Sequence, residues 1–94
     1  MPRKTEAEIA DAVIAVLQSR PNGEGQIADL IDGVPNHIEL SPEDLADSPT
    51  RPGEPVWHQQ VRNITSHKGS PGNAIYEGRL VAIKGGLRLV HRAA

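Results

Sequence analysis

The sequence predicts an α+β domain of about four short helices followed by a C-terminal β-hairpin, and three observations lead there. Apolar residues recur at helical spacing from Ile9 to Leu17 and again from Trp57 to Ile64. Stretches rich in Gly and Pro separate the helical segments. Two short apolar runs, Leu80 to Ile83 and Leu87 to Val90, flank Gly85-Gly86, which is a hairpin signal. With 94 residues, 37% of them hydrophobic, the chain has room for one core, so residues 1–94 form a single domain. Its 22 Ile, Leu and Val lie above the level of about 20% below which charged chains stay disordered. Aromatics contribute only 2%, Trp57 and Tyr76, so the core must be aliphatic.

Each element has a local cause. Thr5 and Glu8 make a T-x-x-E capping box, and Ile9, Val13, Val16 and Leu17 carry the first helix to about Ser19. Arg20-Pro21-Asn22-Gly23 stops it. After a turn at Gly23 to Gly25, Gln26 to Ile31 suits a second short helix, ended by Asp32-Gly33 and Pro35. Ser41-Pro42-Glu43-Asp44 opens a third, with Ser as N-cap, Pro at the first helical position and acids in the first turn. Ser48 to Pro55, with three Pro and one Gly, reads as a semi-rigid loop. Trp57, Val61 and Ile64 define the core side of a fourth helix, broken at Gly69-Ser70-Pro71-Gly72. Leu80 to Ile83, a turn at Lys84-Gly85-Gly86 and Leu87 to Val90 complete the hairpin.

Composition excludes several functions. The longest apolar run, Ala12 to Leu17, is six residues, where a membrane span needs about 20. No membrane association is expected. The absence of Cys removes disulfides, thiolate metal sites and cysteine nucleophiles, and fits a reducing cytoplasm. No two of His37, His58, His67 and His91 stand at i,i+4 as a paired ligand set would, so neither metal nor cofactor is expected. Ser66 beside His67 cannot meet it as a paired base would, and no orienting acid lies nearby, so no catalytic residue is expected.

The net charge of -2 conceals an asymmetry. Residues 1–50 carry three cations and ten acids, net -7, whereas residues 51–94 carry seven cations and two acids, net +5. A local basic field attracts polyanions whatever the total charge. The alternative is that the two halves simply attract each other.

On a helical wheel, Trp57, Val61 and Ile64 fall within about 40° of one direction, while Gln59, Arg62, Asn63 and Ser66 cluster opposite. Gln and Asn can pair with adenine and Arg with guanine, so this face has the inventory of a major-groove reader. It has equally that of a solvated face. Short helices, then a polar-faced helix, then a basic hairpin is the order of a winged helix-turn-helix, whose wing touches the DNA backbone. Lys84 at the hairpin tip and Arg88 beyond it are the candidate phosphate contacts. The loop His67 to Asn73, with Lys68, follows the reading helix and either approaches phosphates or is a plain connector. Trp57 has two readings: a core anchor, or a flat apolar wall in the groove with His58 and Gln59 beside it.

The run Val56-Trp57-His58-Gln59-Gln60-Val61-Arg62-Asn63, continued by Ser66-His67-Lys68-Gly69-Ser70-Pro71-Gly72-Asn73-Ala74-Ile75 and Glu77-Gly78, resembles winged-helix domains fused to modification-dependent restriction endonucleases. Leu40-Ser41-Pro42-Glu43-Asp44-Leu45 resembles a segment of the N-terminal domain of methylation-requiring restriction endonucleases. The similarity spans about residues 9 to 90. It implies a module that binds double-stranded DNA, in some relatives a reader of N6-methyladenine, with the nuclease on another part of the chain. No H-N-H or PD-(D/E)xK arrangement is visible, so the expectation is a monomeric, nucleoid-associated DNA-binding module without nuclease activity of its own. Trp57, His58, Gln59, Arg62, Asn63, Ser66, His67, Lys68, Lys84 and Arg88 are its candidate DNA contacts. The competing expectation is a winged helix that docks a protein partner and does not bind DNA.

Overall fold

Residues 3–90 are described by a computed structural model. Helix α1 (Glu6–Gln18) begins at the expected capping box: the Thr5 hydroxyl accepts from the Glu8 amide at 3.1 Å, and the Glu8 carboxylate accepts from the Thr5 amide at 3.0 Å. Ile9, Val13 and Leu17 are wholly buried along its inner stripe. Strand β1 (Glu24–Gln26) leads directly into α2 (Ile27–Gly33), where the Asp29 carboxylate accepts from the Gln26 amide at 2.9 Å. Close packing of α2 on α1 explains Gly33, since a Cβ there would lie 2.8 Å from a methyl of Val16. A 3-10 turn at Val34–Asn36 follows, then α3 (Pro42–Leu45) and α4 (Val56–Ser66). The hairpin is β2 (Leu80–Ile83) and β3 (Gly86–Leu89).

The three strands form one antiparallel sheet in the order β1-β3-β2. Helices and a small sheet ending in a hairpin are the α+β, winged-helix layout expected from the element order. The sheet differs from the expected lone hairpin by β1. That strand is three residues long and includes Gly25, and its partner in β3 lies some sixty positions away, so no local pattern announces it. The hairpin turn is Lys84-Gly85 alone, with positive φ only at Gly85, and Gly86 is the first residue of β3, paired with Ile83. Arg92 and His91, which belong to the basic half, lie outside the described residues.

The core is aliphatic, as composition requires. Ile64 and Val61 of α4, Leu30 of α2, Leu80 of β2 and Leu87 of β3 meet the inner stripe of α1, each 0 or 1% exposed. Burying a side chain of this size contributes about 1.5–3 kcal/mol. Ser41, Asp44, Ser48 and Asn73 are the buried polar residues among those described, and none leaves a buried side-chain atom without a hydrogen-bond partner. Asp44 accepts from the amides of Lys4 and Ser41, both at 2.8 Å, and from the Ser41 hydroxyl at 3.0 Å. Burial alone would push its carboxyl up, but the amide of Ser41, then that of Lys4, then the Ser41 hydroxyl outweigh burial and hold it below the ordinary aspartate range. Asn73 donates to the Ile64 carbonyl at 2.9 Å and to Glu6 at 3.1 Å, and accepts from the amides of Ile75 and Tyr76. It fastens the turn after α4 to both long helices.

The Pro-rich loop is closed at its base, where Asp47 bridges Pro55 and the Ser48 amide donates to the Glu54 carbonyl at 2.8 Å. In the sheet, β3 pairs with β1 at Gly86 with no room for a side chain between them. A Cβ on Gly86 would collide with the Gly25 carbonyl oxygen and lie 2.8 Å from the Gln26 Cα. Backbone cannot yield there as a flexible side chain can. Gly86→Ala is therefore expected to destabilise the protein by about 2 kcal/mol or more in urea unfolding. Gly69→Ala, where a Cβ meets nothing within 4 Å, should change stability by no more than about 0.5 kcal/mol. Equal stability of the two variants would contradict this packing.

Candidate nucleic-acid interface

Helix α4 divides as its wheel predicts. Trp57, Val61 and Ile64 are buried, and the opposite side carries Gln59, Arg62, Asn63 and Ser66. Trp57 is only 4% exposed, so its ring packs in the core and presents no wall to a groove. This corrects its assignment as a DNA contact, and the physical reason is its alignment with Val61 and Ile64. His58 is half-buried beside it, the two rings edge-to-face with centroids 4.4 Å apart. Burial lowers the His58 pKa; Glu54 opposes that shift and Arg62 adds to it. A neutral imidazole at pH 7 offers one donor and one acceptor but no charge for phosphate.

The polar side of α4 opens on two shallow clefts. One is lined by Arg62, Thr65 and Ser66 of α4, by Ile83, Gly85 and Gly86 of the hairpin, and by Ile27 at the start of α2. The other is lined by Val56, Gln59, Gln60 and Asn63 together with Arg3. The hairpin is fixed relative to α2: the Ile27 amide donates to the Gly85 carbonyl at 3.0 Å, and the Gln26 side chain donates to the Lys84 carbonyl at 3.2 Å. Lys84 is thereby held at an exposed tip. Arg88 is exposed on β3, with Glu24 and Val81 as its cross-strand neighbours.

The basic side chains of the second half fall into three sets. Arg79 pairs with Asp11 at 2.9 Å and His67 Nδ1 lies 2.6 Å from Glu6, so these two hold the halves together, as the mutual-attraction reading expects. Arg62 pairs with Glu54, and Arg51 lies 3.9 Å from the same carboxylate. Lys68, Lys84 and Arg88 have no carboxylate within 4.0 Å among the described residues, and Lys68 is exposed just past α4. His67 is turned towards α1, so it serves the fold.

The loop from His67 to Asn73 uses its own amides. Those of His67, Lys68, Ser70 and Asn73 donate to nearby carbonyls, and that of Gly72 donates to the Glu77 carboxylate. It is a self-bonded connector with little left to cradle a phosphate. Sequence reasoning missed Arg3, Glu54 and Thr65. Arg3 reaches the α4 cleft because the Lys4 amide is tied to buried Asp44 and the Lys4 carbonyl accepts from the Gln60 side chain at 3.2 Å. No local signal marks such a tether. Glu54 stands eight residues before Arg62, a spacing that reveals nothing until the loop closes.

Among the described residues no group of three His, Asp or Glu could hold a metal, and no helix is long and apolar enough to cross a membrane. As the only Trp, Trp57 reports on the core. Its emission should be blue-shifted, resist acrylamide quenching and stay unchanged when duplex DNA is added. Emission of a solvated indole that responds to duplex would restore Trp57 to the interface. In comparison with known proteins, no family model, curated protein or solved structure matches the chain.

Proposed function

We propose that this protein is a double-stranded DNA-binding winged helix in which α4 enters the major groove and the hairpin rests on the backbone. The observation that carries the reading is the cleft shared by Arg62 and Ser66 of α4 with Ile83, Gly85 and Gly86, since base-reading side chains then adjoin the hairpin turn that carries exposed Lys84. Gln59, Arg62 and Asn63 read base edges, with the half-buried His58 at the margin. Lys84, Arg88 and Lys68 contact phosphates, and Arg3 adds a cation on the opposite flank of α4. Nothing in this set performs bond-breaking chemistry, so the proposed role is recognition.

Recognition of N6-methyladenine is the finer proposal. With Trp57 in the core, the apolar wall it needs is reduced to Val56, which lines a cleft with Gln59 and Asn63. The methyl leaves adenine N7 and one N6 hydrogen free to meet an amide, so Val and Gln together suffice in kind.

Titration of labelled duplexes at graded salt tests both levels. Affinity should fall with a log-log slope of roughly -3 to -5, and Lys84→Ala and Arg88→Ala should each reduce its magnitude by about 0.9. Arg62→Ala or Asn63→Ala should cost about 1–3 kcal/mol on the preferred duplex and less on a random one. Duplex methylated on both strands should bind roughly tenfold tighter than unmethylated duplex, from about 0.8 kcal/mol per buried methyl. Equal affinity for the two would remove the methyl proposal alone. A protein that shifts no duplex at low salt would remove the DNA-binding reading and leave docking to a protein.

A further inference from the structure

We propose that Glu54 is a specificity-determining positioning residue, whose carboxylate orients the Arg62 guanidinium to read a guanine from α4. The inference rests on the DNA-binding reading above. It gives a task to the Pro-rich loop, which that reading leaves unused.

Glu54 is held by its backbone. Its carbonyl accepts from the Ser48 amide at 2.8 Å, its amide donates to the Arg51 carbonyl at 3.0 Å, and the Asp47–Pro55 bridge closes the loop just behind it. The loop therefore holds the Glu54 backbone at a fixed place, from which its carboxylate reaches Arg62 of α4. One oxygen accepts from Arg62 Nη2, and Arg51 approaches the other. Both partners of the main pair are largely shielded, Arg62 being 30% and Glu54 24% exposed, so water screens this pair less than a surface pair. The hydrogen bond from Arg62, ahead of any other influence, keeps Glu54 below the ordinary glutamate range and hence charged at neutral pH.

Guanine is read by two parallel donors on O6 and N7. A guanidinium has five N–H donors, and Glu54 engages one at Nη2, which leaves four, including a parallel pair. Freezing Arg62 in advance removes rotamer freedom that base contact would otherwise have to remove. The charge placement points the same way. Residues 51–90 contain only two acids, Glu54 and Glu77, and an acid on a surface that meets phosphate weakens every duplex alike. Such an acid improves recognition only if it sharpens the difference between duplexes. A simple latch on Arg62 makes the opposite forecast, because its removal would strengthen all duplexes equally.

The test selects a duplex from a randomised pool with the unmodified protein. Affinities for that duplex and a shuffled version are then measured for unmodified protein, Glu54→Gln, Glu54→Ala and Glu24→Gln. Glu24→Gln removes an acid from the sheet without touching Arg62. For both Glu54 variants the selected-to-shuffled ratio should fall about 5- to 20-fold, a large part of what one bidentate Arg–guanine contact supplies, while shuffled duplex binds a few-fold tighter. Glu24→Gln should leave the ratio unchanged. If the Glu54 variants keep the ratio of the unmodified protein, the positioning role is overturned and DNA binding stands. Failure of the unmodified protein to bind any duplex overturns both. A second measurement needs no DNA: the Arg62 Hη signals in NMR spectra should be separate in unmodified protein and averaged in Glu54→Gln. Averaged signals in unmodified protein would overturn the inference even where Glu54→Ala fails to fold.

Discussion

The pairing of β3 with β1 at Gly86 constrains everything that the proposed surface needs. Gly86 lies against the backbone of Gly25 and Gln26 so closely that no side chain fits, and from this contact the hairpin tip reaches the start of α2 through the Ile27 amide. The two-residue turn, Lys84 and Gly85, joins β2 to β3 but does not itself set the hairpin's distance from α4. A β-hairpin alone is marginal in water, whereas a third strand pairing on the far side of β3 fixes its register. The cleft between Arg62 and the tip is thus a consequence of backbone contact between the hairpin and the N-terminal half.

The second constraint is electrostatic. A chain with -7 in one half and +5 in the other can satisfy its own charges or leave them for a partner. This fold does both, in different places. Glu6 and Asp11 of α1 take His67 and Arg79, and these contacts anchor the turns that follow α4. Lys68, Lys84 and Arg88 remain without carboxylate partners among the described residues. Arg62 stands between the two groups, paired yet lining the cleft. Buried Asp44 belongs to neither, since its charge is met by amides and a hydroxyl, and its effect is to hold the segment carrying Arg3 beside α4.

Local signals made much of this legible. The Thr5–Glu8 capping box, the Ser41-Pro42 helix start and the Trp57, Val61, Ile64 stripe each act within a few residues, and each is found where the pattern places it. Strand β1 was not legible, because three residues including a glycine become a strand only when β3 arrives beside them. The candidate site divides along the same line. The outward side of α4 follows from periodicity, and so does the burial of Trp57, which the wheel already placed with the core. The pairing of Arg62 with Glu54, the turn of His67 towards Glu6 and the approach of Arg3 depend on tertiary closure. By composition the loop after α4 is either a phosphate cradle or a plain connector, and the folded backbone decides: the amides of His67, Lys68, Ser70 and Asn73 go to carbonyls of α4 and of the loop, and that of Gly72 goes to Glu77.

On the proposed reading, duplex DNA meets one continuous surface that runs from the outward side of α4 to the hairpin tip. Amide NMR shifts followed during titration with a short duplex at low salt test it most directly. Changes are expected to concentrate at Gln59, Arg62, Asn63, Ser66, Lys84 and Arg88, with the cleft of Glu8, Asp11, His37 and Ile38 unmoved. Changes confined to that acidic cleft, or none along α4, would contradict the reading.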